Sequence, residues 1–166
     1  MKQLIAAVGI LLASWMTAHS QVPAAKSHNL SLRGVAVPSS ARGTLTVIGK
    51  SEGPLAGSFE ISIWYNPVTN EITGGAWKLI VPRQGREGAS KAQGALAGSI
   101  KGGTVKLDQH GRVSSAEEVQ LNIRRSAGQY SRIARGSGKF SGTLDLRRQH
   151  PFKGELHLLF NSGAVK

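Results

Sequence analysis

The 166-residue chain contains no cysteine. The lack of thiols excludes disulfides, iron–sulfur clusters, cysteine-ligated zinc and thiolate nucleophiles. The stability of the fold must therefore come from side-chain packing and strand pairing. A chain of this size buries roughly two-thirds of the surface that its unfolded form exposes, so it needs no covalent cross-link.

Acidic residues are scarce: nine Asp and Glu stand against 21 Lys and Arg, giving a formal net charge of +12. This balance favours an anionic polymer or a membrane surface as a partner, or it only keeps the exterior solvated. The basic residues are spread along the chain and never form a run longer than two. Aromatic residues make up 5% of the chain, too few for a base-stacking platform, and we find no specific nucleic-acid motif.

Long hydrophobic runs are also missing. The apolar stretch 4–13 is too short to span a bilayer, follows Lys2, and precedes the small residues Ala18 and Ser20. This pattern predicts a signal peptide over residues 1–20 and a secreted or periplasmic protein. We expect residues 21–30 to form a flexible lead-in.

Glycine, in contrast, is abundant, with 21 copies, and many lie inside segments that alternate between apolar and polar residues. The clearest segment is 57–65, which we expect to form a hairpin with 72–81. Eight or nine such short strands predict an all-β domain over residues 31–162. Glycines within strands favour a single antiparallel barrel of about eight strands, with a two-sheet sandwich as the alternative.

Residues 128–130 read Gly-Gln-Tyr, and residues 136–143 read Gly-Ser-Gly-Lys-Phe-Ser-Gly-Thr. This segment resembles the G-x-Y/F … G-x-G-x-(F/L)-x-G pattern of allene-oxide-cyclase-like and dirigent-like β-barrel proteins, small bacterial secreted members included. It departs from that pattern at 125–127, where Arg-Ser-Ala replaces a common Gly-Gly-Thr turn. The resemblance implies an eight-stranded antiparallel barrel with a central apolar cavity, and we carry no catalytic residue over from it.

Catalytic motifs are missing as well. No two histidines have a metal-ligand spacing, and no Gly-x-Ser-x-Gly elbow is present. Residues 136–139 suggest a phosphate loop, but Phe140 stands where Ser or Thr should follow Lys139. We therefore predict no catalytic residue, no metal and no cofactor.

The function that the sequence favours is an exported, non-catalytic binding protein. A small apolar ligand would lie in the lumen against Tyr65, Trp77, Tyr130 and Phe140. An anionic envelope polymer would contact a basic cluster, which forms if segments 120–126 and 138–148 pair as a hairpin. The members of that cluster are Arg124, Arg125, Lys139, Arg147 and Arg148.

Two alternatives stay open. A cyclase-like or isomerase-like enzyme would act in the lumen and would need inward polar groups, for which Tyr65 and Tyr130 are the only candidates. A structural or inhibitory protein would bind a partner through a sheet edge or through the polar loop 82–91. The sequence carries no indication of oligomeric state.

Overall fold

The computed structural model describes residues 25–37, 41–82, 94–133, 135–145 and 151–161. The predicted signal peptide, most of loop 82–91, Arg147 and Arg148 lie outside these ranges. Within them most residues lie in β-strands. No helix in the described ranges is long and apolar enough to cross a membrane.

The structure confirms a single antiparallel barrel, so the sandwich alternative is wrong. Each strand pairs with the next one along the chain, and the last strand closes the sheet by pairing with the first. A 3-10 turn at Gly128–Tyr130 follows the sixth strand. The strands are β1 Lys26–Val37, β2 Thr44–Glu52, β3 Gly57–Tyr65, β4 Ile72–Val81, β5 Gly94–Leu107, β6 Val113–Ala127, β7 Gly136–Leu144 and β8 Pro151–Phe160.

The alternation of apolar and polar residues along each strand determines which side chains point into the barrel. In β3, Phe59, Ile61 and Ile63 are buried, while Ser58 and Glu60 on the opposite face are exposed. The expected hairpin between β3 and β4 is present, with Ile61 directly opposite Trp77.

The inward side chains of all eight strands form one hydrophobic core. Phenylalanine rings meet near the middle: the ring of Phe152 lies 5.6 Å from that of Phe140 and 6.3 Å from that of Phe59, measured between centroids. Edge-to-face and tilted contacts at these distances are favourable packing geometries.

The barrel begins earlier than the sequence predicted, inside the expected lead-in 21–30. Strand β1 starts at Lys26, which pairs with Phe160 of β8. The polar residues after Lys26 gave no apolar pattern, yet their backbone amides close the barrel. Strand β8 ends at Phe160.

Strands β5 and β6 are the longest of the barrel, and both are irregular. Strand β5 continues through Gly102 and Gly103 to Leu107, with register shifts around these glycines. Strand β6 begins at Val113 and has a register shift between Ala116 and Val119. β-Bulges of this kind interrupt the alternation without ending the pairing.

The barrel has two ends, which we name by the residues found there. At the upper end β1, β3, β5 and β7 begin and β2, β4, β6 and β8 finish, so Lys26, Ala127, Gly136 and Phe160 lie there. The lower end holds Val37, Tyr65, Val113 and Leu144.

Candidate anion-binding face

The four residues predicted to line a lumen site do not converge. Trp77 and Phe140 are buried in the core, with 3% and 1% of their surface exposed. Tyr65 lies at the lower end of β3, and Tyr130 lies in the 3-10 turn at the upper end. Both tyrosines are half-buried, and this burial raises the pKa of each phenol.

Trp77 has a structural partner rather than a free polar edge. Its Nε1–H donates to the backbone carbonyl of Asn122, 2.9 Å away on β6. A side chain at Gly98 would overlap this indole and the same carbonyl, so glycine there leaves room for the contact. The indole N–H is therefore satisfied within the wall of the barrel.

The register of β6 is interrupted close to this contact. Ile123 pairs with Gly98 and Arg125 with Ala97, so Arg124 is an extra residue in β6 without an opposite partner on β5. Successive residues of a regular strand point to opposite faces, but here Ile123 is buried while Arg124 and Arg125 are both exposed. The bulge therefore places two neighbouring guanidinium groups on the exterior, an arrangement that alternation alone does not predict.

Lys139 lies on the same side of the barrel, and the hairpin on which its prediction depended is present. It pairs with Gln120 of β6 and with His157 of β8. Gln120 is four positions before Arg124, so Lys139 and Arg124 lie on the order of 13 Å apart along the sheet.

Two members of the predicted basic cluster, Arg147 and Arg148, lie outside the described residues. Their membership of the cluster stays a prediction. The described part of the chain contains the other three members, Arg124, Arg125 and Lys139, and all three are exposed.

Other cations join these three from strands that are distant in the sequence. Lys101 of β5 lies outward beside the pair formed by Gln120 and Gly102, and Lys26 begins β1 next to the end of β8. We call the exposed cations of β1, β5, β6 and β7, together with those of the connection between β6 and β7, the cationic face. Its members are Lys26, Lys101, Arg124, Arg125, Arg132, Arg135 and Lys139.

Carboxylates are missing from the segments that build this surface. Segments 25–30, 94–101, 119–133, 135–140 and 156–161 contain no Asp or Glu. The cationic face therefore concentrates positive charge on segments that have no acidic side chain of their own, and it should carry a strongly positive potential.

Two cations at the lower end, Lys106 and Arg112, form ion pairs. Lys106 Nζ lies 2.6 Å from Glu117 Oε1, and Arg112 Nη2 lies 2.9 Å from Asp108 Oδ2. Hydrogen bonds from the Lys106 side chain lower the pKa of Glu117, and those from the Arg112 backbone amide lower the pKa of Asp108.

A cleft of about 430 Å³ opens in the cationic face between β5 and β8. Lys101, Lys139 and His157 line it together with the hydroxyl-bearing Ser27 and Ser137. A volume of this size is within the range of small-ligand sites. Within the described ranges no group of three or more His, Asp or Glu side chains could hold a metal ion.

Sequence reasoning missed Lys26, Lys101, Arg132 and Arg135 as members of this face. One signal was available, because residues 119–144 contain five Lys or Arg and no carboxylate. Lys26 and Lys101 could not be found in this way, since only closure of the barrel brings β1 and β5 beside β6–β8.

Comparisons of the chain with family models, with curated proteins and with solved structures return no match. The resemblance to allene-oxide-cyclase-like and dirigent-like proteins therefore stays a prediction. The surface and the core of the barrel are therefore the available indications of function.

Proposed function

We propose that this chain is an exported binding protein that holds an anionic polymer against its cationic face. One observation carries the proposal: seven exposed Lys and Arg side chains lie on β1, β5, β6 and β7 and in the connection between β6 and β7, on segments that contain no carboxylate. A surface of this kind attracts a polyanion and releases its condensed counterions on contact.

The composition of the core favours a surface function over a ligand or a reaction in the lumen. The buried residues of the described ranges are apolar except for Ser51 and Ser115. Ser51 Oγ donates to the carbonyl of Leu55, and Ser115 Oγ donates to a carboxylate oxygen of Glu117. Cyclase chemistry would need polar groups that converge inside the barrel, and these hydroxyls are already bonded elsewhere.

The closed sheet also weighs against a partner that adds a strand. Every strand from β1 to β8 has a neighbour on both sides, so the described sheet offers no unpaired edge for β-augmentation. Charge attraction between the basic exterior and an anionic partner is therefore the favoured mode of binding.

A charge-neutralised variant tests the proposal. We expect the combined change Lys101→Gln, Arg124→Gln and Lys139→Gln to weaken heparin binding by roughly 10²-fold near 0.1 M salt. The slope of log K against log salt should become shallower by about two to three, close to the number of cations that the variant removes. Fluorescence anisotropy with labelled heparin at several salt concentrations measures both quantities.

The matched control removes three cations elsewhere on the barrel, with Arg42→Gln, Lys50→Gln and Arg112→Gln. These exposed residues lie before β2, on β2 and before β6, away from the cationic face. Both variants have the same net charge. If heparin binds to the cationic face, the control should therefore lose much less heparin affinity than the test variant. Equal reductions of affinity in the two variants would show that only net charge matters and would overturn the proposal.

A further inference from the structure

A second cleft, of about 440 Å³, lies on the outside of the barrel in line with the first. Ser137 and Lys139 of β7 line the upper cleft, and Ser141 and Thr143 of the same strand line the lower one. Residues 157–159 and 153–155 of β8 continue in the same order. We call the two clefts together the β7 groove; their centres are separated by four residues of strand, or ~13 Å.

Inward glycines explain why the exterior is concave here. A side chain at Gly142 would overlap the ring of Phe152, and one at Gly138 would come within 2.8 Å of Leu158 Cδ2. The backbone of β7 therefore lies directly on the core side chains. Outward, Ser137 and Ser141 are short, so the groove is not filled from the solvent side.

The upper cleft combines charge with polar and apolar contacts. Lys101 and Lys139 lie on either side of Gln120, two strand spacings or roughly 10 Å apart. Ser137 supplies a hydroxyl group, and Leu159, which is 46% exposed, supplies an apolar surface.

The lower cleft is rich in hydroxyl groups and has mixed charge. Its outward hydroxyls belong to Ser31, Ser141 and Thr143. Two cations and two carboxylates line the same cleft, namely Arg33, Lys153, Glu117 and Glu155. This composition suits an uncharged, hydroxylated group better than a second anion.

We infer that the β7 groove binds a linear acidic glycan, with an anionic sugar unit in the upper cleft and a neighbouring hydroxylated unit in the lower one. The inference rests on the proposed function and names the class of polymer. Serine, threonine and glutamine side chains both donate to and accept from sugar hydroxyls, which polyphosphate does not have. Nucleic acid is disfavoured because the described residues of the cationic face include no exposed Trp, Tyr or Phe on which bases could stack.

A variant that fills the lower cleft without changing charge tests this inference. Thr143→Tyr puts a ring on an exposed strand position where tyrosine is a good strand former. We expect it to weaken binding of a hyaluronan octasaccharide, in which anionic and uncharged hydroxylated units alternate, by tenfold or more. Binding of the single sugar glucuronate, which occupies the upper cleft alone, and of charge-matched polyphosphate should stay unchanged. Ser58→Tyr on the outer face of β3 is the control, and circular dichroism checks that both variants fold.

The outcomes separate the inference from the proposed function. An octasaccharide that binds wild type and Thr143→Tyr equally would overturn the glycan assignment, and so would polyphosphate that binds as tightly as the octasaccharide. In either case binding that still depends on Lys101, Arg124 and Lys139 would leave the proposed function standing. No measurable binding of any of these polyanions to the wild type at low salt would overturn both.

Discussion

The hydrogen bond from Trp77 to β6, next to the bulge, should contribute measurably to the free energy of unfolding. The indole is 3% exposed, and its N–H donates to the Asn122 carbonyl at 2.9 Å. Replacing Trp77 by phenylalanine keeps an aromatic ring in the core but removes the donor and part of the buried volume. The carbonyl of Asn122 then has no side-chain donor beside the bulge that presents Arg124.

The expected cost has two contributions. Leaving a buried carbonyl without its donor costs about 1–2 kcal/mol. The smaller ring and the residual cavity cost roughly another 1–2 kcal/mol, less than a complete truncation to alanine. The variant should therefore be less stable by about 2–4 kcal/mol, which corresponds to a fall in Tm of roughly 6–12 °C for a domain of this size.

Urea unfolding followed by far-UV circular dichroism measures this destabilisation without relying on tryptophan fluorescence. The control is the same substitution at Trp64, which is 53% exposed on the outer face of β3. Trp64→Phe should change the free energy of unfolding by no more than about 0.5 kcal/mol. Replacing Trp77 with benzothienylalanine, an isostere without the N–H group, should reproduce only the hydrogen-bond contribution.

The reasoning would be refuted by equal destabilisation at Trp77 and Trp64. It would be refuted as well if the benzothienylalanine protein unfolded at the same urea concentration as the wild type. In that case the 2.9 Å contact would contribute nothing net, and the bulge at Arg124 would be held by strand pairing alone.

Two further predictions concern backbone packing and pH. Gly142→Ala should destabilise the fold by about 1–3 kcal/mol because the new methyl group overlaps the Phe152 ring, whereas Gly102→Ala, with open space around its Cβ, should be near neutral in the same urea titration. Burial and then the nearby Lys26 charge lower the pKa of His28, so the unfolded chain binds the proton more readily and stability falls as pH drops below 6.5. His28→Phe keeps the stacking on Phe160 and should gain stability relative to wild type between pH 7.5 and 5.5; a pH-independent difference would contradict this.

The regular strands could be predicted from the sequence because apolar and polar residues alternate there with the buried and exposed faces. Strands β3 and β4 have the bounds that alternation predicted, Gly57–Tyr65 and Ile72–Val81. Their inward positions carry large apolar side chains, and a turn at residues 66–71 joins them. Barrel closure followed from the number of strands and from the glycines within them.

The bulges could not be read in this way because they depend on the partner strand. Glu118 adopts a positive φ of 48° and Gly103 one of 130°, and each lies where the pairing of β5 or β6 shifts. A side chain at Gly103 would come within 2.8 Å of the Val119 backbone. The conformation of one strand is thus fixed by the other, which a local pattern does not show.

The candidate site depends on these irregular positions more than on the regular ones. An unbroken β6 would turn one of Arg124 and Arg125 inward, where an unpaired guanidinium would lie against the core at a cost of several kcal/mol. The extra residue removes that conflict, and it lies two positions from the carbonyl that accepts the Trp77 N–H. The positive charges of the cationic face repel one another and oppose folding, and the Trp77 hydrogen bond beside the arginine pair offsets part of that cost. If the proposed function holds, core packing and polyanion binding are therefore coupled through a single bulge.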